Sequence, residues 1–142
     1  MMYALYRGLT RVAGPVVRLS LARRLAAGKE DPQRRGERMG HAARPRPPGP
    51  LVWVHAASVG EANSILVLVD RLLAGYPGLS VLMTTGTVTS AELMGRRLPA
   101  GAFHQYVPVD LPAAVDRFLD HWRPDAVLWI ESEIWPNLLH GI

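Results

Sequence analysis

A parallel α/β sheet flanked by helices is the fold this sequence predicts, and three observations carry the prediction. From residue 51 onward, short apolar runs of strand length alternate with longer segments of helical periodicity. Turn-forming residues fall at the junctions, notably Ser58 with Gly60, Gly75 with Pro77, Gly86, and Pro124. The chain has 142 residues, 49% hydrophobic and 20% charged, which suits one globular domain with an appendage.

The appendage comes first. Tyr3 to Leu25 is rich in Leu, Val and Ala but is broken by Arg7, Arg11, Arg18, Arg23 and Arg24; its longest uncharged stretch after the start is the six residues Val12–Val17. A membrane-spanning helix needs roughly 20 apolar residues in a row, so this segment cannot span. It also lacks the continuous apolar core and small-residue cleavage site of a secretory signal. Arg7, Arg11 and Arg18 share one helix face, and Leu5, Leu9, Val12, Val16 and Leu19 lie on another, with Pro15 placed to kink or divide the helix. With Tyr3 and Tyr6 near its start, this reads as a basic amphipathic helix of the membrane interface over residues 1–27. The plainer expectation is a helix packed on the domain. Residues 28–50 are charged and then proline-rich, with prolines at 45, 47, 48 and 50, which predicts an extended linker whose arginines are solvated.

The domain proper occupies residues 51–142. Leu51–Ala57 is predicted as a first strand and Glu61–Leu73 as a helix carrying Ile65, Leu66, Leu68, Val69, Leu72 and Leu73 at helical spacing. Ser80–Thr85 is a second strand, a helix runs from about Ser90 to Leu98, and Phe103–Val107 is a third strand. Leu111–Trp122 is a third helix with Asp110 as its cap, and Ala126–Ile130 a fourth strand. Strands alternating with helices in this way imply a Rossmann-like parallel sheet of βαβ units.

Charge is segregated along the chain. Residues 1–50 hold 11 Lys/Arg and 3 Asp/Glu, while residues 51–142 hold 5 and 9. A basic arm of this kind suits nucleic acid or an anionic membrane surface. Interleaved aromatic and basic residues that would bind single strands are absent, as are Gly-rich phosphate loops, so neither nucleic acid nor a nucleotide site is expected here. There is no cysteine, which excludes disulfides and thiolate chemistry, and His55, His104 and His121 have no metal-site spacing.

In a parallel sheet the carboxyl ends of all strands share one edge, where ligands bind. Three predicted strand ends bring polar groups there: Ser58, Gly60 and Glu61 after the first, Thr84, Thr85 and Thr87 after the second, Glu131 and Glu133 after the fourth. Glu61 at a helix start has a structural explanation in the helix dipole. Glu131, ending the run Ala-Val-Leu-Trp-Ile, is expected to be partly buried, which disfavours its charged form and suits a general base or a stabiliser of positive charge. His55 inside a strand reads as a core residue, and Trp135 at the sheet edge as a pocket wall. Two carboxylates on one crevice suggest acyl or glycosyl chemistry.

Several motifs together resemble a known family. His55-Ala-Ala-Ser-Val-Gly-Glu61, Thr84-Thr-Gly-Thr-Val-Thr89, Pro108-Val-Asp-Leu-Pro112 and Glu131-Ser-Glu-Ile-Trp-Pro-Asn137 look like the N-terminal half of 3-deoxy-D-manno-octulosonic acid (Kdo) transferases, as do Gly28-Lys-Glu-Asp-Pro32 and Arg35-Gly-Glu-Arg-Met-Gly40. The resemblance implies a GT-B glycosyltransferase of two Rossmann-like domains, moving Kdo from CMP-Kdo to a lipid A precursor at the cytoplasmic face of the inner membrane. It implies Glu61 as proton acceptor and Glu131 as transition-state stabiliser, with Ser58, Gly60, Thr84, Thr85 and Glu133 binding substrate and no metal or other cofactor. Three positions depart from the family pattern, Val88 for a proline, Ser90 for a glycine and Val109 for a common tyrosine. Because the family's CMP-binding elements lie in a C-terminal domain, this chain alone is expected to hold the acceptor side without turning over. Competing expectations are a GT-B enzyme with another acceptor, and a non-catalytic α/β module that docks on membranes.

Overall fold

The computed structural model describes residues 1–130 and 133–142. Four strands, β1 (Leu51–His55), β2 (Ser80–Thr85), β3 (Ala102–Tyr106) and β4 (Ala126–Trp129), form an all-parallel sheet in the order β3-β2-β1-β4. The order reverses direction at β1, so β1 and β4 flank a topological switch point at their carboxyl ends. Helices α3 (Val59–Gly75) and α4 (Val88–Arg97) cover one face, and α5 (Pro112–Trp122) with the short α6 (Pro136–Gly141) covers the other. Both faces being covered explains why the strands read as nearly continuous apolar runs.

Alternation along β1 sorts its side chains between two cores. Val54 joins Ile65, Leu66 and Val69 of α3 and Met94 of α4, while Leu51 and Trp53 join Val115, Phe118 and Trp122 of α5. The Trp53 and Phe118 rings lie 4.8 Å apart, and Trp53 meets Trp129 edge to face at 5.9 Å.

The N-terminal segment is two helices, α1 (Met2–Val12) and α2 (Gly14–Ala26). Pro15 sits in the first turn of α2, where its missing N–H costs nothing, and the chain restarts there instead of running through.

Residues 28–50 lie on the domain instead of stringing two parts together. Three of their arginines, Arg34, Arg38 and Arg46, are held, while Arg35 and Arg44 are exposed. Arg34 binds Glu37 through two bonds of 2.9 and 2.8 Å and donates to the His104 carbonyl at 3.1 Å; Glu37 accepts the Tyr106 N–H at 2.8 Å. Side chains of a short 3₁₀ turn (Arg35–Met39) and its flank thus satisfy backbone groups along the edge strand β3 that a further strand would otherwise take. Arg46 donates to the carbonyls of Trp122, Pro47 and Gly49 at 2.7, 3.0 and 3.1 Å. Gly40, at φ +83°, brings this segment so close to the backbone of α5 at Ala114 that a side chain there would collide.

Asp110 does not cap α5, whose N-cap is Leu111 without a side-chain bond. Its carboxylate instead accepts the N–H groups of Asn137 at 3.2 Å and Leu138 at 2.9 Å, capping α6, and the Tyr6 hydroxyl at 2.8 Å. Pro112 already removes one orphan donor from the start of α5, whereas the buried start of α6 has two N–H groups that need an acceptor.

Candidate functional site

At the carboxyl edge of the sheet lies a crevice of about 520 Å³. The strand-end loops supply His55 and Ala57, Gly86 and Thr87, Val107 and Val109, and Glu133 and Trp135; α2 closes the far wall with Val17, Ser20, Leu21 and Arg24, and Arg38 enters from the 3₁₀ turn. The loops after all four strands therefore meet at one place.

Arg38 is largely buried, with its guanidinium donating to the Val107 carbonyl and its Nε 3.5 Å from Glu30. Burial holds its pKa below the usual arginine value, and Glu30 acts in the opposite direction. Glu30, itself buried, also takes Arg24 at 2.7 Å, so one carboxylate serves two guanidinium groups and the wall keeps a positive excess. Glu133, which is exposed, also lines the crevice. With Glu133 counted, two carboxylates match the two guanidinium groups, so Arg24 and Arg38 offer local donors to an anionic group rather than a net positive field.

The capping box around Ser58 explains why Glu61 stands where it does. Ser58 Oγ accepts the Glu61 N–H at 3.2 Å, and Glu61 Oε2 accepts the N–H groups of Ala57 at 3.0 Å and Ser58 at 3.1 Å. Both cap bonds use Oε2, and Ala57, one of the two donors, lines the crevice. Ser58 and Gly60 are exposed beside it.

Thr84 and Thr85 are fully buried under the crevice instead of opening into it. Thr84 Oγ1 accepts Trp53 Nε1–H at 2.8 Å and lies 2.9 Å from His55 Nδ1, so it fixes the imidazole that forms part of the floor. Thr85 Oγ1 lies 2.8 Å from His104 Nε2. Because the guanidinium of Arg34 can only donate to His104 Nδ1, at 3.0 Å, the ring proton sits on Nε2 and points to Thr85. Burial pulls His55 down to about 4 and, with help from the Arg34 charge, His104 down to about 3, so both rings are neutral near pH 7. Glu131 lies outside the described residues. Arg38 escaped the reading of the residues because a carbonyl 69 residues away decides its burial, although the stretch Arg35-Gly-Glu-Arg-Met-Gly40 was an available signal; Arg24 is tied locally, to Glu30 six residues on.

A sequence model of the 3-deoxy-D-manno-octulosonic-acid transferase (kdotransferase) family matches residues 33–142, which include Arg38, the capping box and every strand. The chain belongs to this family. It is 42% identical over 137 residues to a probable mitochondrial 3-deoxy-D-manno-octulosonic acid transferase of Arabidopsis thaliana, covering 96% of this chain and 31% of the relative. The enzyme of that name from Rickettsia bellii is 37% identical over 139 residues, covering 98% and 33%, and that from Haemophilus influenzae 40% over 113 residues, covering 78% and 26%. The chain thus spans about a third or less of the length of these Kdo transferases.

Proposed function

We propose that this chain forms the acceptor-side part of a membrane-associated Kdo transferase of GT-B architecture, moving Kdo from CMP-Kdo to a lipid A precursor in lipopolysaccharide biosynthesis. The observation that carries the reading is a crevice at the switch point whose walls carry Arg24 and Arg38 and whose far side is α2, next to helices that turn an apolar stripe outward: Leu5, Leu9, Val12, Val16 and Leu19 are all more than half exposed. An anionic glycolipid needs both surfaces, one for its charged sugar and one for the membrane that holds it. The cytoplasmic face of the inner membrane is the corresponding location. No described helix is long and apolar enough to cross a membrane, so the contact proposed is interfacial.

In this reading an acceptor hydroxyl attacks the anomeric carbon of Kdo as the bond to the CMP phosphate oxygen breaks, with inversion. Glu61 takes the hydroxyl proton while its Oε2 stays in the capping box, which fixes the carboxylate beside Ala57. Glu131 is assigned the stabilisation of the oxocarbenium-like charge, as carboxylates do in glycoside chemistry. Ser58, Gly60 and Glu133 are assigned to substrate binding, whereas Thr84 holds the floor through His55 and Thr85 bonds His104 away from the crevice lining. The chemistry needs no metal, and donor binding falls to a C-terminal domain.

The experiment is transfer from CMP-Kdo to a lipid A precursor by the full-length enzyme, with Glu61→Gln beside it. Gln can still accept one cap bond, so stability should change by less than about 1 kcal/mol while transfer is lost. The capping box also favours a second reading, a non-catalytic membrane-docking module in which Glu61 only caps α3; no transfer by the parent enzyme supports that module, whereas unchanged transfer by Glu61→Gln refutes Glu61 as the base. Transfer to a different glycolipid acceptor alone would refute the acceptor and keep the fold.

A further inference from the structure

Helix α2 separates the crevice from a second groove of about 520 Å³ on its other side, between α2, the segment 35–41 and the start of α5. Residues 18, 21, 22 and 25 of α2 line this groove, whereas 17, 20, 21 and 24 line the crevice, so two adjacent helix faces serve two cavities. The third face carries exposed Val16 and Leu19. Arg18 therefore stands on the groove side of the apolar stripe.

The groove combines an apolar floor of Leu21, Leu25 and Met39 with a rim of exposed Arg18, Arg35 and Arg117. Its one acid, Glu30, is buried and engaged by Arg24 and Arg38. No ion pair among the described residues includes Arg18, Arg35 or Arg117, and Arg117 is steadied by donating to the Met39 carbonyl. Three unneutralised guanidinium groups around an apolar floor match a molecule that is anionic at one end and apolar at the other. A free phosphate would satisfy the rim and leave the floor wet.

We infer that this groove binds the headgroup and first acyl segment of an anionic phospholipid, at a site separate from the acceptor crevice. The inference rests on the membrane reading of α1 and α2. Bound there, the lipid holds α2 at a fixed height and tilt on the bilayer, and α2 is the wall of the crevice. Selectivity for anionic lipid is thereby built into one groove instead of being spread over all the arginines.

The test is co-sedimentation of the chain with vesicles of phosphatidylcholine, with and without a phosphatidylglycerol fraction, thermal unfolding confirming that each variant is folded. Ala22→Trp fills the groove without changing charge, Arg18→Ala with Arg35→Ala strips its rim, and Arg11→Ala with Arg23→Ala removes the same charge elsewhere. Preference for the anionic vesicles should fall by about fivefold for each groove arginine, and likewise with Ala22→Trp, but markedly less for the control pair. An unchanged preference in Ala22→Trp, or an equal loss in the control pair, overturns the site. Failure of the parent chain to bind either vesicle overturns the membrane reading instead. Abolition of the preference by inorganic phosphate, at an ionic strength where chloride leaves it intact, would assign the rim to free phosphate and refute the lipid.

Discussion

Helices α1 and α5 both touch the loop that carries Asp110, yet they attach by opposite means. Helix α5 buries Ala114, Val115, Phe118 and Trp122 against the sheet. Helix α1 buries no residue, and its recorded bonds to the domain are polar: Tyr6 to Asp110 at 2.8 Å, Arg7 to Asp116 at 2.8 Å, and Thr10 from Asn137 at 3.1 Å. Each large apolar side chain of α5 contributes about 1.5–3 kcal/mol by burial, against about 0.5–1.5 kcal/mol net for each hydrogen bond of α1. An ordinary surface helix turns its apolar stripe inward. Here the stripe of α1 faces out and the polar side faces in, the arrangement on which the proposed membrane contact rests.

That contrast can be broken most forcefully from the α5 side. Phe118→Ala should cost about 3–5 kcal/mol in chemical denaturation, because it opens a cavity against Trp53. Leu9→Ala, at 63% exposure, should leave denaturation within about 0.5 kcal/mol of the parent while weakening vesicle binding. Equal destabilisation by the two would mean that α1 packs as α5 does.

Asp110→Ala probes the joint between the regions. It leaves two buried N–H groups of α6 and the Tyr6 hydroxyl without their acceptor, at a cost of about 3 kcal/mol. Hydrogen exchange should show lost protection in α1 and α6 with the central strands still protected. Burial next to the Asp110 carboxylate also pushes the Tyr6 phenol up to about 12, so Tyr6 stays protonated and donating across the physiological range.

Acid acts on the sheet, where both depressed imidazoles lie. His55 and His104, lowered to about 4 and about 3 in the fold against an ordinary 6.5, bind protons more readily when unfolded. Stability should therefore be flat above about pH 6.5 and fall as the pH drops toward 4, by roughly 1.4 kcal/mol per pH unit for each imidazole. His104→Gln should halve that slope in a urea titration repeated across pH, and an unchanged slope would show that the ring is solvated in the fold.

Much of this was legible from local pattern. The bounds of β2, Ser80–Thr85, coincide with the apolar run, and Ser58 and Glu61, three residues apart, announce the start of α3 through a capping box. What could not be read depends on partners far along the chain. Asp110 next to Leu-Pro looks like a cap for α5, yet its true partners lie 27 and 28 residues later. Arg34, Arg38 and Arg46 sit in a Pro- and Arg-rich stretch that reads as linker, but their acceptors are carbonyls 69 to 77 residues away. Thr84 and Thr85 sit near the predicted edge, and only the strand register shows that their hydroxyls are enclosed by Trp53, His55 and His104. The crevice itself was legible as a convergence of strand ends; its cationic wall was not.

The central claim, that α1 presents its apolar stripe to a membrane while the sheet-flanking helices do not, can be measured directly because the chain has no cysteine of its own. Leu9→Cys on α1 and Val67→Cys on α3, at 63% and 62% exposure, take an environment-sensitive fluorophore at equally accessible sites. On adding anionic vesicles, the label at residue 9 should shift to the blue and be quenched by lipid-borne quenchers, while the label at residue 67 stays in water. Equal responses at the two positions, or none at residue 9, would contradict the account.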